Sequence, residues 1–371
     1  MITTRAEIQL RALQDNLGKI RHRVGSGVKV MGIVKANAYG HGLPEVAGAL
    51  TRSGIDYLGV GFLQEGTLLR QYGIRVPILV LGGVLGSQVK EFLQYDLDIT
   101  VASIEIAERI EQEASTNGNK RANVHLKIDT GMERIGVHPE HALEFVQRVS
   151  CLPHLDVKGI YSHFATSDER DKTFAHLQLE RFTAVLDFVR KSGIEIPYVH
   201  MANSGAILDM PGSYFTMVRP GILLYGIYPS RETTKSIPVE PVLSLKSKVV
   251  FVKSVPEGTS ISYGRTYYTP TNTRIVTVPI GYGDGYSRRL TGRGEVIIAG
   301  KRFPVVGTVC MDQIMVDGGI EGNIHVGDDV ALIGSDGGQS ISVWEIADLI
   351  GTNPYEVLTG ISARVPRVVI N

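Results

Sequence analysis

The stretch that decides the fold is residues 28–42, VKVMGIVKANAYGHG. It begins with an apolar, β-branched run, Val28–Val34, which predicts a strand buried on both faces. Lys35 follows directly, and Gly40 and Gly42 end the segment in the manner of a loop. A buried strand, a polar residue and a loop in this order are typical of a βα unit in a parallel sheet.

Seven further apolar runs alternate with helical stretches after this first one. The predicted strands are Val28–Val34, Ile55–Val60, Pro77–Leu81, Asp98–Ala102, Asn123–Ile128, Val157–His163, Tyr198–Met201 and Met217–Leu224. Two of the predicted helices are Ser103–Thr116 and Asp171–Lys191, the second with Phe174 and Leu177 on its apolar face. Eight such repeats favour a closed (β/α)8 barrel over an open doubly wound sheet. The open sheet is disfavoured further because the glycines at 59 and 61 lack the third glycine of a dinucleotide loop.

The sequence changes character after about residue 230, where prolines and glycine turns separate short β-branched runs. This pattern predicts a second, mostly β domain that one helix, Ser342–Leu349, interrupts. We therefore predict an α/β chain with a TIM-type barrel over residues 1–232 and a β-rich C-terminal domain over 233–371.

Composition and charge narrow the classes of partner. Hydrophobic residues make up 43% and charged residues 20%, which is typical of a compact protein and excludes disorder. Lys+Arg and Asp+Glu both total 38, so no basic field exists for nucleic acid. The apolar runs are too short for a bilayer, and the N-terminus lacks the core of a secretory signal. With only Cys151 and Cys310, we predict a cytoplasmic protein that binds neither nucleic acid nor membrane.

Reactive groups of a (β/α)8 barrel lie at the C-terminal ends of its strands. The polar residues found just beyond the predicted strands are Lys35, Lys127, Arg134, His163, His200, Asn203, Ser204 and Arg219. These cations and hydrogen-bond donors predict a pocket for an anionic ligand. A lysine in such a place can form a Schiff base if burial and neighbouring charge lower its pKa, although a salt-bridged lysine is the commoner case.

Seven motifs, in order along essentially the whole chain, make it resemble the bacterial alanine racemases, pyridoxal-phosphate enzymes with a barrel and a β-domain. The motifs are VKANAYGHG at 34–42, KIDTGMERIG at 127–136, ANSG at 202–205, RPG at 219–221, SYGR at 262–265, GYGDG at 281–285 and CMDQ at 310–313. The resemblance implies interconversion of L- and D-alanine, which provides D-alanine for cell-wall peptidoglycan. It also implies a homodimer with shared active sites and no catalytic metal.

By this resemblance, Lys35 and Tyr263 are the catalytic bases on opposite faces of the substrate. Lys35 also holds the cofactor covalently, and Tyr263 is supplied by the other subunit. A phenol ordinarily titrates near pH ~10, so nearby cations have to lower its pKa. Arg134 and His163 are the candidates for that role.

The resemblance also places Arg219 against the pyridine nitrogen of the cofactor, with His200 orienting it. An arginine donates a hydrogen bond without giving up its proton, which weakens the cofactor as an electron sink and favours racemisation over transamination. The implied cofactor-binding residues are Lys35, Tyr39, His163, Asn203, Ser204, Arg219, Gly221, Ile222 and Tyr355. Asn203 and Ser204 are equally well explained as a helix cap.

For the substrate carboxylate, the resemblance implies Arg134 and the backbone N–H of Met311, with Lys127 and Asp312 in supporting positions. Lys127 matches a position whose amine is carboxylated in several family members, which would give Arg134 an anion. Other functions stay open: a racemase of another small amino acid such as serine, a decarboxylase of related fold, or a non-catalytic carrier of the cofactor. A metal hydrolase is disfavoured because the histidines lack ligand spacing beside a carboxylate.

Overall fold

The computed structural model describes residues 3–116, 121–321 and 323–370. Its contacts divide the chain into two compact units. The barrel unit consists of Ala12–Ala38 and Leu43–Glu240, and the β unit consists of Met1–Arg11, Tyr39–Gly42 and Pro241–Asn371.

The barrel unit holds a closed barrel of eight parallel strands within the described residues, hydrogen-bonded in sequence order. The strands are Lys29–Ile33, Tyr57–Val60, Ile78–Val80, Asp98–Val101, Ala122–Lys127, Leu155–Tyr161, Tyr198–His200 and Met217–Val218. The predicted closed barrel is therefore confirmed. The eighth strand is shorter than predicted, because Pro220 has no N–H for the ladder and Ile222–Tyr225 turn into a short 3-10 helix.

Helices separate the barrel strands. They are Leu10–Val24, Leu43–Arg52, Leu63–Gln71, Val89–Gln94, Ile104–Thr116, Pro139–Ser150, Thr173–Lys191 and Ser204–Asp209. The helix Thr173–Lys191 buries Ala175, Phe182 and Val189, whereas Phe174 and Leu177 are more than a third exposed. The predicted apolar face was wrong in the first turns of this helix, where Ala175 and Gln178 are buried in place of Phe174 and Leu177.

The β unit is built on a long mixed sheet, which confirms the predicted β-rich domain. The strands in spatial order are Phe251–Val255, Thr273–Val278, Ile314–Asp317, Lys301–Val306, Glu295–Ile298, Asp329–Asp336, Leu243–Lys248, Arg5–Gln9 and Arg367–Ile370, with Gln339–Ile341 paired to Asp329–Asp336 and a separate ribbon of Ser260–Ile261 and Tyr267–Tyr268. The strand Arg5–Gln9 belongs here because it pairs with Leu243–Lys248 and Arg367–Ile370, a difference from the predicted division at residue 232.

Two helices, Val343–Ile350 and Pro354–Gly360, interrupt the β unit where one was expected. The second helix has a recognisable start, because the Asn353 side chain accepts from the Glu356 N–H and Pro354 occupies the first helical position. None of the helices in the described part of the chain combines the length and apolar character needed to cross a bilayer.

Candidate active site

Lys35 lies two residues beyond the first barrel strand, at the start of a backbone turn of unusual hand. Ala36, Asn37, Ala38 and Tyr39 all have φ between 52° and 54°, the left-handed helical region. Each such L-residue costs about 1–2 kcal/mol relative to the right-handed conformation. Strained backbone of this kind concentrates at functional sites, so the turn itself marks Lys35.

Glu65 holds the backbone around Lys35 and was not among the predicted residues. Its Oε1 accepts from the Ala36 N–H at 2.6 Å, and its Oε2 accepts from the Gly61 N–H at 2.7 Å. It occupies the third position of the helix Leu63–Gln71. An acidic residue at this position is a helix-start signal that the sequence shows. The contact of Glu65 with the Ala36 N–H could not be predicted from that signal.

Four cationic groups influence one another at the mouth of the barrel unit. Burial lowers the pKa of Lys35, with further lowering from Arg134 and Arg219 partly opposed by Glu65. Lys127 is only 3% exposed, and burial followed by the charges of Arg219 and Arg134 lowers its pKa to about 7. Both lysines thus lose their proton more readily than a free lysine, which makes them better nucleophiles.

Arg134 is presented by a loop that one carboxylate organises. Asp129 Oδ1 accepts from the N–H groups of Gly131, Met132 and Glu133 at 2.9, 2.9 and 3.2 Å, and Oδ2 accepts from the Arg134 N–H at 3.1 Å. Burial alone would raise the pKa of Asp129, but these donors outweigh it and lower the pKa. The Arg134 guanidinium makes no hydrogen bond or ion pair with any described residue and is exposed, so it is available to a ligand.

Arg219 is buried and follows the eighth strand. Its Nη1 donates to His200 Nδ1 at 2.8 Å, and its Nη2 donates to the Ser162 and Met201 carbonyls at 2.7 and 3.1 Å and to His163 Nδ1 at 3.1 Å. Burial lowers its pKa only to about 10, so the guanidinium stays charged at neutral pH. Its Nε–H has no hydrogen-bond partner among the described residues.

Both histidines beside Arg219 are neutral, because an arginine only donates and their Nδ1 atoms have to accept. Burial, followed by the charge of Arg219, lowers the pKa of His163 and of His200 well below the usual value. The structure therefore places a fixed cation and two neutral imidazoles side by side.

Ser204 joins two of the predicted phosphate-binding segments. Its Oγ accepts from the Gly221 N–H at 2.9 Å and from the Leu223 N–H at 3.3 Å, and Ile222 lies between them. The capping function falls to Asn203, whose Oδ1 accepts from the Ala206 N–H at 3.1 Å. Of the two roles considered for this segment, helix capping is carried out by Asn203, and phosphate binding by Ser204 stays a prediction.

Tyr263 lies in the β unit on a strained turn. Ser262, Gly264 and Arg265 have φ of 69°, 75° and 53°. Ser262 Oγ donates to the Thr308 carbonyl at 2.6 Å, and Thr308 Oγ1 donates to the Tyr263 carbonyl at 2.8 Å. The Tyr263 side chain is 73% exposed, and its hydroxyl makes no hydrogen bond to a described residue.

The loop that carries Met311 is shaped by the GYGDG motif. The Tyr282 and Gly283 N–H groups donate to the Cys310 and Met311 carbonyls at 3.0 and 2.9 Å. A Cβ at Gly281 would overlap the Cys310 carbonyl oxygen, so only glycine allows this approach. The Met311 N–H has no hydrogen-bond partner among the described residues, which leaves a donor for a ligand.

The remaining predicted residues also lie in the β unit. Asp312 forms an ion pair with Arg364 at 2.7 Å, and Arg364 lies 3.3 Å from Asp284. The rings of Tyr39 and Tyr355 lie together with centroids 5.9 Å apart, and burial raises the pKa of Tyr39. The four cationic residues Lys35, Lys127, Arg134 and Arg219 therefore belong to the barrel unit. The predicted residues that belong to the β unit are Tyr39, Tyr263, Met311, Asp312 and Tyr355.

Comparisons with known proteins identify the family of the chain. The profile of the alanine racemase N-terminal domain matches residues 8–229, and that of the C-terminal domain matches residues 242–369. Alanine racemase 2 of Caldanaerobacter subterraneus subsp. tengcongensis is 46% identical over 368 residues, covering 99% of this chain and 95% of that protein. The chain belongs to the alanine racemase family.

Solved structures are equally similar. The alanine racemase of Clostridium difficile 630 superposes with a TM-score of 0.95 at 41% identity, covering 100% of this chain and 96% of the other. The histidine racemase of Leuconostoc mesenteroides subsp. sake superposes with a TM-score of 0.92 at 29% identity, covering 100% and 99%. The same fold is thus found in racemases named for two amino acids of different size.

Proposed function

We propose that the protein is a racemase that interconverts L- and D-alanine with pyridoxal phosphate as its cofactor. The observation that carries the proposal is Arg219, a buried cation held by His200 and two carbonyls with its Nε–H left for a ligand acceptor. A donor that keeps its proton suits a pyridine nitrogen that has to remain largely neutral.

The donor set of this chain fits pyridoxal phosphate. Lys35 has a lowered pKa, which favours the neutral amine that an aldehyde requires. The Ser204 hydroxyl, whose oxygen accepts from the Gly221 N–H, keeps its own proton to donate to a phosphate, and the Ile222 N–H and the hydroxyls of Tyr39 and Tyr355 are the further proposed donors. When bound, the cofactor supplies an aldehyde for an amine and a conjugated ring that accepts electron density from the substrate α-carbon.

Two residues move the α-proton in this proposal. Lys35 takes or returns it on one face of the substrate, and Tyr263 does so on the other. We propose that Tyr263 acts in the site of a second copy of the chain in a homodimer. Its exposure within this chain, and a hydroxyl without a partner in the described residues, support that assignment.

Arg134 and the Met311 N–H bind the substrate carboxylate in this proposal. The planar fork of Arg134, free of protein partners among the described residues, can hold two carboxylate oxygens. We further propose that Lys127 is carboxylated, since an amine whose pKa is about 7 is neutral often enough to react with carbon dioxide. The resulting anion would balance the positive charge of Arg134 and Arg219.

The proposed physiological role is to provide D-alanine for peptidoglycan, in the cytoplasm, where both free cysteines stay reduced. A racemase of another amino acid is the second candidate. The similarity to a histidine racemase favours keeping it, since it indicates that this fold admits other side chains.

The test is proton NMR of the protein with pyridoxal phosphate and D-alanine in D2O, with a chiral assay on the same sample. Loss of the α-proton signal together with L-alanine formation is the expected result. Exchange with serine or histidine but not alanine would favour the second candidate. Neither exchange nor inversion of any of the three, with cofactor bound, would contradict the racemase proposal.

The variant Tyr263→Phe removes one proposed base and is expected to lower racemisation by about 10²–10⁴-fold while cofactor stays bound. Tyr268→Phe is the matched control, because Tyr268 is a second exposed tyrosine, 52% exposed, in the same ribbon. Equal activity of the two variants would refute the assignment of Tyr263.

A further inference from the structure

A buried polar chain continues from Arg219 into the interior of the barrel. His200 and His125 are fully buried, and Asp98 is 2% exposed. They come from three barrel strands, at the end of Tyr198–His200, within Ala122–Lys127 and at the start of Asp98–Val101. His125 and Asp98 belong to none of the groups that bind or move protons in the proposed function.

The distances define a single line of contacts. Arg219 Nη1 lies 2.8 Å from His200 Nδ1, and His200 Nε2 lies 2.9 Å from His125 Nδ1. His125 Nε2 then lies 3.5 Å from Asp98 Oδ2, an electrostatic contact whose geometry is not that of a hydrogen bond. The Tyr57 hydroxyl donates to the same Asp98 oxygen at 2.6 Å and closes the chain.

The donor direction along this line follows from its first member. Arg219 only donates, so His200 Nδ1 is bare and the proton of His200 is on Nε2. That N–H points at His125 Nδ1, which is therefore bare as well, and the proton of His125 is on Nε2, facing Asp98. Nδ1 of both imidazoles is thus an acceptor, and the N–H of each ring lies on the side away from Arg219, that of His125 near the Asp98 carboxylate.

The backbone is shaped to receive His125. The pairing of the fifth and sixth barrel strands shifts register between Val124 and His125, which indicates a bulge at this point. His125 is thereby set opposite Gly159, where a Cβ would overlap its Nδ1 atom. A bulge that re-aims a side chain is common next to active sites.

A purely structural role does not account for this chain. Arg219 already donates to two carbonyl oxygens, of Ser162 and Met201. Placing a carboxylate and two imidazoles in a barrel core costs more free energy than apolar side chains of the same size would. Only His200 is needed to satisfy Arg219 Nη1, so the costly extension to His125 and Asp98 favours a role in setting the position of Arg219 through His200.

We propose that Asp98 and His125 are positioning residues that act through His200 to hold Arg219 as an outward-facing donor. The carboxylate polarises the two imidazoles so that His200 Nδ1 accepts strongly from Arg219. Without His125 and Asp98, His200 is free to carry its proton on Nδ1. The Nδ1–H would then face the Arg219 Nη1–H, and the hydrogen bond that holds Arg219 would be lost. This inference rests on the proposed function for its catalytic consequence, but the tautomers themselves do not.

The first test uses the unmodified chain without added cofactor. Nitrogen-15 NMR of histidine-labelled protein at pH 7 is expected to show His125 and His200 each protonated at Nε2 alone. A proton on Nδ1 of either residue, or a doubly protonated ring, would overturn the proposal whatever the protein catalyses.

The second test uses three variants. His125→Leu breaks the chain, and His125→Asn keeps an acceptor oxygen near the position of Nδ1, so it should restore the His200 tautomer that His125→Leu loses. Ser213→Ala is the control, since Ser213 is likewise fully buried in the barrel unit but its hydroxyl donates to the Met210 carbonyl at 2.7 Å, outside the chain.

The catalytic readout is the ratio of pyruvate formed to alanine racemised in the holoenzyme. Pyruvate would form, with uptake of one water and formation of one pyridoxamine phosphate, if the α-proton were returned to the cofactor and not to the α-carbon, the outcome that a well-positioned Arg219 disfavours. We expect about a tenfold higher ratio for His125→Leu, a smaller increase for His125→Asn and none for Ser213→Ala. An unchanged ratio in His125→Leu despite an altered His200 tautomer would refute the positioning role. Absence of racemisation in the unmodified holoenzyme would instead contradict the proposed function.

Discussion

Asp129→Asn tests whether one carboxylate organises the loop that presents Arg134. The change keeps the size of the side chain but removes its charge and replaces one acceptor oxygen by an NH2 group. Asp129 is 3% exposed and receives four backbone N–H groups from residues 131–134. In the variant, the amide oxygen can still accept from the N–H groups that bind Oδ1, but these hydrogen bonds become neutral. The amide NH2 group replaces Oδ2 and faces the Arg134 N–H, so that two donors oppose each other.

The magnitude follows from these four contacts. A hydrogen bond to a charged group contributes about 1.5–3 kcal/mol and a neutral one about 0.5–1.5 kcal/mol. Relief of the buried charge offsets part of the loss. We expect the free energy of unfolding to fall by about 2–4 kcal/mol, measured by urea unfolding at pH 7 with far-UV circular dichroism.

The pH dependence has a defined sign. The pKa of Asp129 is lowered in the folded chain, so its contribution to stability is complete above the unfolded pKa of ~3.9 and is lost as the pH falls through the folded value. The difference in free energy of unfolding between the wild type and Asp129→Asn should therefore become smaller below about pH 4.

The matched control is Glu133→Gln in the same loop. Among the described residues, the Glu133 side chain contacts only His138, at 3.3 Å, and such exposed surface pairs contribute about 0–1 kcal/mol. If Asp129→Asn destabilised the protein no more than Glu133→Gln, the reasoning about the loop would be wrong.

Two further predictions concern Gly281 and Lys127. Gly281→Ala places a Cβ against the Cys310 carbonyl, which should displace the Met311 N–H and raise KM for alanine at least about tenfold. Gly360→Ala is the control, because the space around Gly360 is open and KM should stay unchanged. Equal KM values for the two variants would contradict the packing argument. Because the pKa of Lys127 is about 7 in the folded chain, the wild-type free energy of unfolding in carbon-dioxide-free buffer should rise by about 3–4 kcal/mol between pH 7 and 10, and Lys127→Met should lose this rise in urea unfolding. Parallel pH profiles of the two proteins would exclude a lowered pKa at Lys127.

Much of the barrel could be predicted from the sequence because its signal is local. Each βα unit is an apolar run followed by a polar residue and a helical stretch, and neighbouring strands pair in chain order. The strand Arg5–Gln9 could not be assigned in this way, because its partners are more than 200 residues away in sequence. Pairing between distant segments leaves no mark on local periodicity.

The same distinction between local signals and distant contacts applies to the residues of the candidate site. Lys35 and Arg219 were predicted because polar residues just beyond strands are visible in a linear sequence. Glu65 and His125 were missed, since their importance depends on contacts with Ala36 and His200 that only the folded backbone creates. The bulge before His125 is a register irregularity, which no pattern of residue types reveals.

The left-handed turn after Lys35 limits which sequences this region can explore. Ala36 and Asn37 are exposed, so packing alone would tolerate almost any side chain there. The backbone conformation removes that freedom, because β-branched residues are disfavoured at positive φ whereas glycine, asparagine and aspartate accept it. The surface next to Lys35 is therefore open to solvent yet closed to most mutation, and directed evolution of new substrate preferences would have to begin elsewhere, at positions whose backbone allows variation.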